Sequence, residues 1–372
     1  MKENIFITGG AGMIGQELVP ILLRKTQANI YLLVHEKGLS YSNELALKQL
    51  FRMPSDKNFL SRLEVVRGDV TKQNLGIPLP LYKKLIGVTT HIIHCAASTR
   101  FDLALDEARL INVNGTRNTI EFAKNCKALS QFGFVSTAYV SGKRKGLIKE
   151  TDLEHDAGFV NTYEQSKYEA EMLLQNYADK IPISIYRLST VLGNSKSGRI
   201  GHLTAPHQAI RMMYLGLASM LPGTPDYSVD LISSDYTANT IFQLYWNNFL
   251  PKTYHITHGE GSLSLEAMID KSYESMARVD PEWVIKNYPK PSIVSEEAFD
   301  LFVGAAVAAN NPILKSVATT LNHFTRQLLY PKSFERRNLK LSLPSYETNL
   351  PSIHDYYEKI VKCCIQAKNN KL

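Results

Sequence analysis

Two tyrosines in this chain are followed four residues later by a lysine: Tyr163 with Lys167, and Tyr139 with Lys143. On a helix, positions i and i+4 share a face. A lysine so placed can hold the hydroxyls of a ribose, and its charge can draw the tyrosine pKa down from ~10 so that the phenol donates a proton. Tyr163-Glu164-Gln165-Ser166-Lys167 continues into Tyr168-Glu169-Ala170-Glu171-Met172-Leu173-Leu174 without glycine or proline. That composition predicts a helix from about Tyr163 to Tyr177. The Tyr139 pair follows an apolar strand and contains Gly142, which predicts a loop without fixed side-chain geometry. Thr137, at the end of that strand, could donate a hydrogen bond to a carbonyl oxygen on which negative charge builds. Ser136 is its rival, and both hydroxyls could instead cap the strand end. The chemistry expected is therefore reduction or oxidation at a carbonyl, with Tyr163, Lys167 and a hydroxyl from Thr137 or Ser136.

A hydride donor needs a cradle. Near the N-terminus Ile5-Phe6-Ile7 runs into Thr8-Gly9-Gly10-Ala11-Gly12-Met13-Ile14-Gly15 and then an apolar-periodic stretch. A buried strand, a glycine-rich turn and a helix in this order form a dinucleotide fingerprint. Glycine admits a positive φ and close backbone approach to a pyrophosphate, and the helix N-terminus offers free N–H groups to the phosphates. The second strand, Ile30 to Val34, carries no acid at its end, where an acid would select NAD by binding the ribose hydroxyls. His35 and Lys37 follow, with Glu36 between them, so the reading leans to NADP (NADPH) and leaves NAD open. Asp69 and Val70, after a third strand, fall where the adenine would lie. Cys95, Ala96 and Ala97, after a fourth, let a cofactor cross the strand end, and Arg187 and Leu188, closing a sixth, are expected beside the same cofactor.

Strands alternate with helices up to about Gly193, which predicts an α/β fold: a doubly wound parallel Rossmann sheet. Residues 1–192 are expected to form the cofactor domain, with a further strand or helix contributed from 225–260. Residues 193–372 are expected to form a smaller, mostly helical substrate-binding region. Within it, 203–220 reads as an apolar core helix, 264–330 as helical, and Ser352 to Ala367 as a final helix. A chain of 372 residues is long enough for this plan.

The apolar and charged shares, 44% and 21%, are those of a water-soluble globular chain. No apolar run reaches the ~20 residues of a membrane span. Without a signal-peptide pattern, a metal-ligand spacing or a plausible disulfide among Cys95, Cys126, Cys363 and Cys364, a reducing cytoplasm is expected. The net charge of +7 is partly concentrated in 311–340, where Lys315, Arg326, Lys332, Arg336, Arg337 and Lys340 face Glu335 alone. This is a solvated helical face or a docking surface for something acidic. No nucleic-acid motif accompanies it.

The stretches ITGGAGMIG, IYLLVHEKG, GDVTKQNLG, HIIHCAASTRFD, INVNGTRN, FVSTAYVSG and NTYEQSKYEAE together resemble the extended short-chain dehydrogenase/reductase superfamily. Within it they are most similar to fatty acyl-CoA reductases and thioester reductase domains, over roughly residues 4–260. The resemblance implies Thr137, five residues before Gly142, with Tyr163 and Lys167, as the catalytic set. It implies cofactor contacts at Thr8 to Gly15, Asp69-Val70, Ala96-Ala97 and Asn112. The implied substrate is an acyl thioester, carried by coenzyme A or by an acidic acyl carrier protein, and the implied cofactor is NADPH. Two positions depart from the pattern: His35 stands where arginine is usual after Val34, and Leu188 stands where proline is usual between Arg187 and Ser189. A carbonyl reductase or a sugar-nucleotide epimerase or dehydratase shares the same triplet, although Ala138 replaces the acid a dehydratase would want. A non-catalytic cofactor-binding sensor is the remaining alternative. Acyl-chain identity, two- or four-electron reduction and oligomeric state are left open.

Overall fold

The computed structural model describes residues 2–35, 44–52, 57–201 and 203–367. Strands β1 (Asn4–Thr8), β2 (Asn29–Val34), β3 (Leu63–Arg67), β4 (His91–His94), β5 (Gln131–Thr137), β6 (Ile183–Leu188) and β7 (Thr253–Ile256) build one parallel sheet in the order 7-6-5-4-1-2-3. The order reverses between β1 and β4, where Ile5 pairs with His91. Ligands in such sheets bind outside the strand C-termini at this reversal. Alternation along β1 explains why both faces are covered: Ile5 and Ile7 join a core with Leu18, Leu22, Ile241 and Tyr245, while Phe6 joins another with Phe122, Phe132 and Leu174.

Helix α1 (Met13–Lys25) follows the glycine turn, and α2 (Gly115–Asn125) follows a single π-turn at Leu110–Asn114. Helix α3 (Thr162–Gln175) begins at Asn161, whose side chain accepts the Glu164 N–H at 2.9 Å. Glu164 reaches back to the Val160 N–H at 3.1 Å, so the helix that carries Tyr163 starts at a fixed point.

Beyond β6, a third core gathers Ile210, Met213, Leu221, Leu265, Trp283, Phe299, Leu321 and Ile360. Its helices are α4 (Ala205–Tyr214), α5 (Ser234–Phe242), α6 (Leu265–Val279), α7 (Glu296–Ala308), α8 (Pro312–Thr325) and α9 (Ile353–Gln366). Helix α5 leaves this group and packs with α1 against the sheet. The stretch expected to be helical over 264–330 is interrupted. Pro281, Pro289 and Pro291 break it, and Ser292–Val294 instead pairs as a short strand with Met220–Pro222. The C-terminal half also returns to the sheet side: Lys332–Phe334 pairs with Gly146–Ile148. Among the described residues no helix is long and apolar enough to cross a membrane, and no acidic, His or Cys cluster could hold a metal.

Candidate active site

A cavity of about 320 Å3 opens where the strand C-termini meet the C-terminal helices. Gly9, Gly12, Met13, Ile14 and Gly15 form one end. Cys95, Ala97, Thr137, Tyr163, Lys167 and Leu188 form the middle, and Ile210, Met213, Leu221, Phe324 and Leu328 the far wall. The glycine turn is shaped as a phosphate cradle. Gly9 has φ +69°, and a Cβ there would lie 2.4 Å from the Ala96 nitrogen. A Cβ on Gly15 would lie 2.4 Å from Gly10, so this glycine lets helix and turn touch. Gly12 is the N-cap of α1, whose first N–H groups face the cavity without a side-chain cap. These residues fit a dinucleotide pyrophosphate.

Thr137 and Tyr163 line the same part of the cavity, with the Thr137 hydroxyl close enough to act on the Tyr163 phenol. The Thr137 hydroxyl also donates to the Leu188 carbonyl at 3.3 Å and accepts the Tyr139 N–H at 3.2 Å. Ser136 is excluded from the same role because its hydroxyl donates to Glu171 Oε1 at 2.5 Å. Burial holds the Tyr163 phenol above its ordinary pKa; the Thr137 hydroxyl partly offsets this and Glu164 adds to it. The phenol is therefore protonated at neutral pH, ready to donate. Lys167 differs from expectation. It points under β5, donating to the Val135 carbonyl at 2.8 Å with its ammonium 3.8 Å from the Phe134 ring centre. Burial lowers its pKa to about 7 against the opposing pull of Glu171 and Cys95. The depression falls on the lysine rather than the tyrosine, because desolvation of both groups outweighs their mutual field.

Several residues expected at the cofactor turn out to brace the site. The Thr8 hydroxyl pairs with His94 Nδ1 at 2.6 Å and accepts the Ala96 N–H at 3.2 Å. His94 spans on to Thr116 at 3.1 Å, and burial, with Lys167 adding, lowers its pKa to about 3, so it is neutral. Asn112 commits both amide hydrogens, to Ser166 at 2.8 Å and the Ser98 carbonyl at 3.1 Å, and accepts the Ser98 N–H at 2.8 Å. It ties the β4 exit to the catalytic helix and leaves no donor for a ligand. Arg187 is likewise corrected. It is 2% exposed and forks onto Glu171, with Nη2 to Oε2 at 2.8 Å and Nε to Oε2 at 3.0 Å, while Nη1 donates to the Asp152 carbonyl at 2.7 Å. Side chains alternate across a strand, so Arg187 turns away from the cavity that Leu188 lines. Gly10 and Ala11, in the turn, and Ala96, after β4, are not in the cavity wall.

Asp69, Val70 and His35 lie outside that wall, at the ends of β3 and β2. Asp69 Oδ1 accepts the Thr71 N–H and hydroxyl at 2.9 and 2.8 Å, and His35 Nε2 lies 3.4 Å from Oδ2. Burial pushes the Asp69 carboxyl up, but Thr71 and His35 outweigh it and the net direction is down. Val70 packs on Gly115. Lys37 lies outside the described residues. Cys95 is in the wall, yet burial pushes its thiol up to about 12, so it is not a nucleophile.

Other wall residues were not anticipated. Phe101 sets its ring 5.8 Å from that of Tyr163 and 6.1 Å from Phe324 of α8. Tyr139 is fixed after all, in a single 3-10 turn, its hydroxyl 2.9 Å from Thr190 and its ring edge-on to Phe334. Glu164 and Gln327 form a buried pair of polar side chains in the wall, with Gln327 Nε2 donating to Oε1 at 2.6 Å. Phe101 and Tyr139 follow strand ends, where ligand contacts concentrate, and could have been found. Gln327, 163 positions from its partner, could not.

The basic window at 311–340 is mostly engaged within the chain. Lys332 is buried and donates to the Gly142 carbonyl, Arg326 pairs with Asp300 and Glu296, and Arg336 and Lys340 pair with Glu347. Lys315 and Arg337 form no ion pair among the described residues.

Sheet order, glycine cradle and the Thr137–Tyr163 pair define an extended short-chain dehydrogenase/reductase, a class of NAD(P)-dependent oxidoreductases. The NAD-binding family model described as male sterility protein matches residues 7–241, and the chain belongs to that family. It is 26% identical over 280 residues to fatty acyl-CoA reductase wat of Drosophila melanogaster, covering 66% of this chain and 54% of that protein. The chain thus spans about half the length of the curated relatives it matches. Among solved structures, the terminal R domain of the myxalamid PKS-NRPS pathway superposes with a TM-score of 0.76 at 22% identity, covering 98% of this chain and 90% of that one. UDP-glucuronic acid 4-epimerase from Bacillus cereus, in complex with NAD, gives 0.67 at 18% identity, covering 98% and 100%. At these identities the two structures establish the fold.

Proposed function

We propose that this protein is an NADPH-dependent reductase of an acyl thioester, yielding an aldehyde and, after a second reduction, an alcohol. The observation that carries the reading is one continuous cavity joining the glycine cradle, the Thr137–Tyr163 pair and a long apolar wall. Apolar surface on that scale suits an acyl chain better than a sugar. The relatives named fatty acyl-CoA reductase support the same substrate class.

When bound, the cofactor supplies hydride to the carbonyl carbon. The Tyr163 phenol would donate to the oxygen that becomes negative, and the Thr137 hydroxyl would join it by turning its single proton from the Leu188 carbonyl toward that oxygen. Collapse of the resulting hemithioacetal breaks the C–S bond and releases the thiol. In the second reduction the protonated Tyr163 gives its proton to the alkoxide. Lys167, which lines the cavity, would hold the nicotinamide ribose hydroxyls with the ammonium hydrogens not given to the Val135 carbonyl. Glu171 keeps the lysine's charge accessible despite burial. NADP selection rests on His35, with Lys37, at a strand end that lacks an acid. The thiol carrier is coenzyme A or an acyl carrier protein, and Lys315 and Arg337 are the cations of the basic window best able to meet its acidic groups.

Purified protein incubated with NADPH or NADH and a panel of acyl thioesters, with products identified by mass spectrometry, tests this. Aldehyde or alcohol formation with NADPH is the expected result. Turnover of free ketones alone, or spectral change with a UDP-sugar, would overturn it in favour of a carbonyl reductase or an epimerase.

A further inference from the structure

Beyond the Thr137–Tyr163 pair the cavity wall is mainly apolar, but one part of it is not. Tyr139 lies two residues past Thr137, and Thr190 two residues past Leu188; their hydroxyls are 2.9 Å apart. Leu231 pairs with Thr190, which brings the segment carrying Tyr227 alongside. Tyr227 is 5% exposed and lines the cavity, yet its hydroxyl makes no hydrogen bond among the described residues. Tyr139 and Glu164 line the same cavity.

Glu164 adds an acceptor. Its Oε1 takes hydrogen bonds from Asn161 Nδ2 at 3.0 Å and Gln327 Nε2 at 2.6 Å, whereas Oε2 takes only the Val160 N–H at 3.1 Å. A carboxylate oxygen has room for about two donors, so Oε2 has capacity for one more. Closing the N-terminus of α3 explains the Val160 and Asn161 bonds. It does not explain why Gln327, from the far end of the chain, enters the same wall. An unpartnered phenol and a carboxylate oxygen with spare capacity, lining one mainly apolar cavity, favour a ligand that engages both.

We propose that Tyr227 and Glu164, with Gln327 orienting the carboxylate, form a second polar subsite, and that the acyl group this enzyme prefers carries a hydroxyl a few bonds from the thioester carbon. This rests on the reading of the cavity as an acyl thioester site. A hydroxyl both accepts and donates: it accepts from the Tyr227 phenol and donates to Glu164 Oε2. A plain hydrocarbon chain leaves both groups unpaired, so the subsite discriminates against it. The position follows from the helix: Glu164 directly follows Tyr163 and lines the same cavity, so the subsite adjoins the group that meets the reacting carbonyl.

The test compares wild type and Tyr227→Phe on octanoyl-coenzyme A and its 3-hydroxy and 5-hydroxy derivatives with NADPH. In parallel, calorimetry on the NADP-loaded protein measures binding of octanol and the matching diols, which reads the subsite without turnover. One hydroxylated ligand should exceed its plain counterpart on the order of tenfold in wild type, in kcat/KM and in affinity. In Tyr227→Phe that ratio should fall to within about twofold of unity. Equal constants for plain and hydroxylated ligands in wild type overturn the subsite. So does a variant that weakens all ligands alike, which marks Tyr227 as structural. If no thioester is reduced but a diol binds better in a Tyr227-dependent way, the subsite stands and the thioester activity falls.

Discussion

The two tyrosine–lysine pairs are the same pattern on two kinds of backbone. In Tyr163–Lys167 both side chains leave one face of a capped helix, and both line the cavity, Lys167 fully buried and Tyr163 partly so. In Tyr139–Lys143 the tyrosine closes a 3-10 turn, Gly142 takes φ +55°, and Lys143 turns outward over the ring of Tyr330 at 6.0 Å. Both tyrosines reach the same cavity, but only one lysine does. The spacing supplies a catalytic pair only where the intervening backbone is helical, and a positive φ inside the second pair prevents that.

The largest test of this contrast is removal of each ammonium. Lys167→Met should lower kcat/KM by a factor on the order of 10² to 10⁴, the range of a lost acid–base partner, whereas Lys143→Met should stay within about twofold; steady-state kinetics with the active thioester decides. Equal losses would erase the distinction. Next comes the support beneath Lys167. Glu171→Gln removes the carboxylate charge and leaves the Arg187 guanidinium buried without its partner charge, which should cost about 3–5 kcal/mol by denaturant unfolding, with a far smaller change expected if the fork were solvated.

Gly142→Ala sharpens the other side of the comparison. At φ +55° a Cβ would sit 2.1 Å from the Gly158 carbonyl oxygen, so a loss of about 1–2 kcal/mol from backbone strain alone is expected, with Tyr139 displaced from Thr190. Retention of full stability would show that the turn can become helical.

A further effect is the pH dependence that Lys167 imposes. Burial puts its folded pKa, about 7, below the ordinary 10.5. Below about pH 7 both folded and unfolded chains hold the proton, and the burial penalty is fully present. Between about 7 and 10.5 the unfolded chain binds more protons, so stability rises with pH. The melting temperature of wild type should therefore rise relative to Lys167→Met across that window, and a flat difference would mean the lysine stays charged.

Much of this molecule was legible in the chain. The strand–glycine–helix opening, the alternation of strands and helices and the helical Tyr163–Lys167 pair all depend on neighbours within about 20 positions. Local propensity, turn chemistry and side-chain periodicity govern such neighbours directly. Thr137 was separable from Ser136 only by resemblance, and the structure adds the reason: Ser136 points across the sheet to Glu171, while Thr137 points to Tyr163.

What stayed hidden depends on distant partners. Arg187, Thr8 and Asn112 sit beside the cofactor region in sequence and in space, yet pairing with Glu171, His94 and Ser166 turns their polar groups inward. The basic run at 311–340 looked like a surface because composition cannot show that Glu296, Asp300 and Glu347 fold back onto it. Sequence alone thus determined the sheet, the cradle and the placing of Tyr163 and Lys167 on one helix, each encoded by short-range pattern. Tertiary structure decided which charges are buried, which way Lys167 leans and what lines the apolar wall. Those depend on desolvation and on contacts between residues far apart in the chain, which no local spacing specifies.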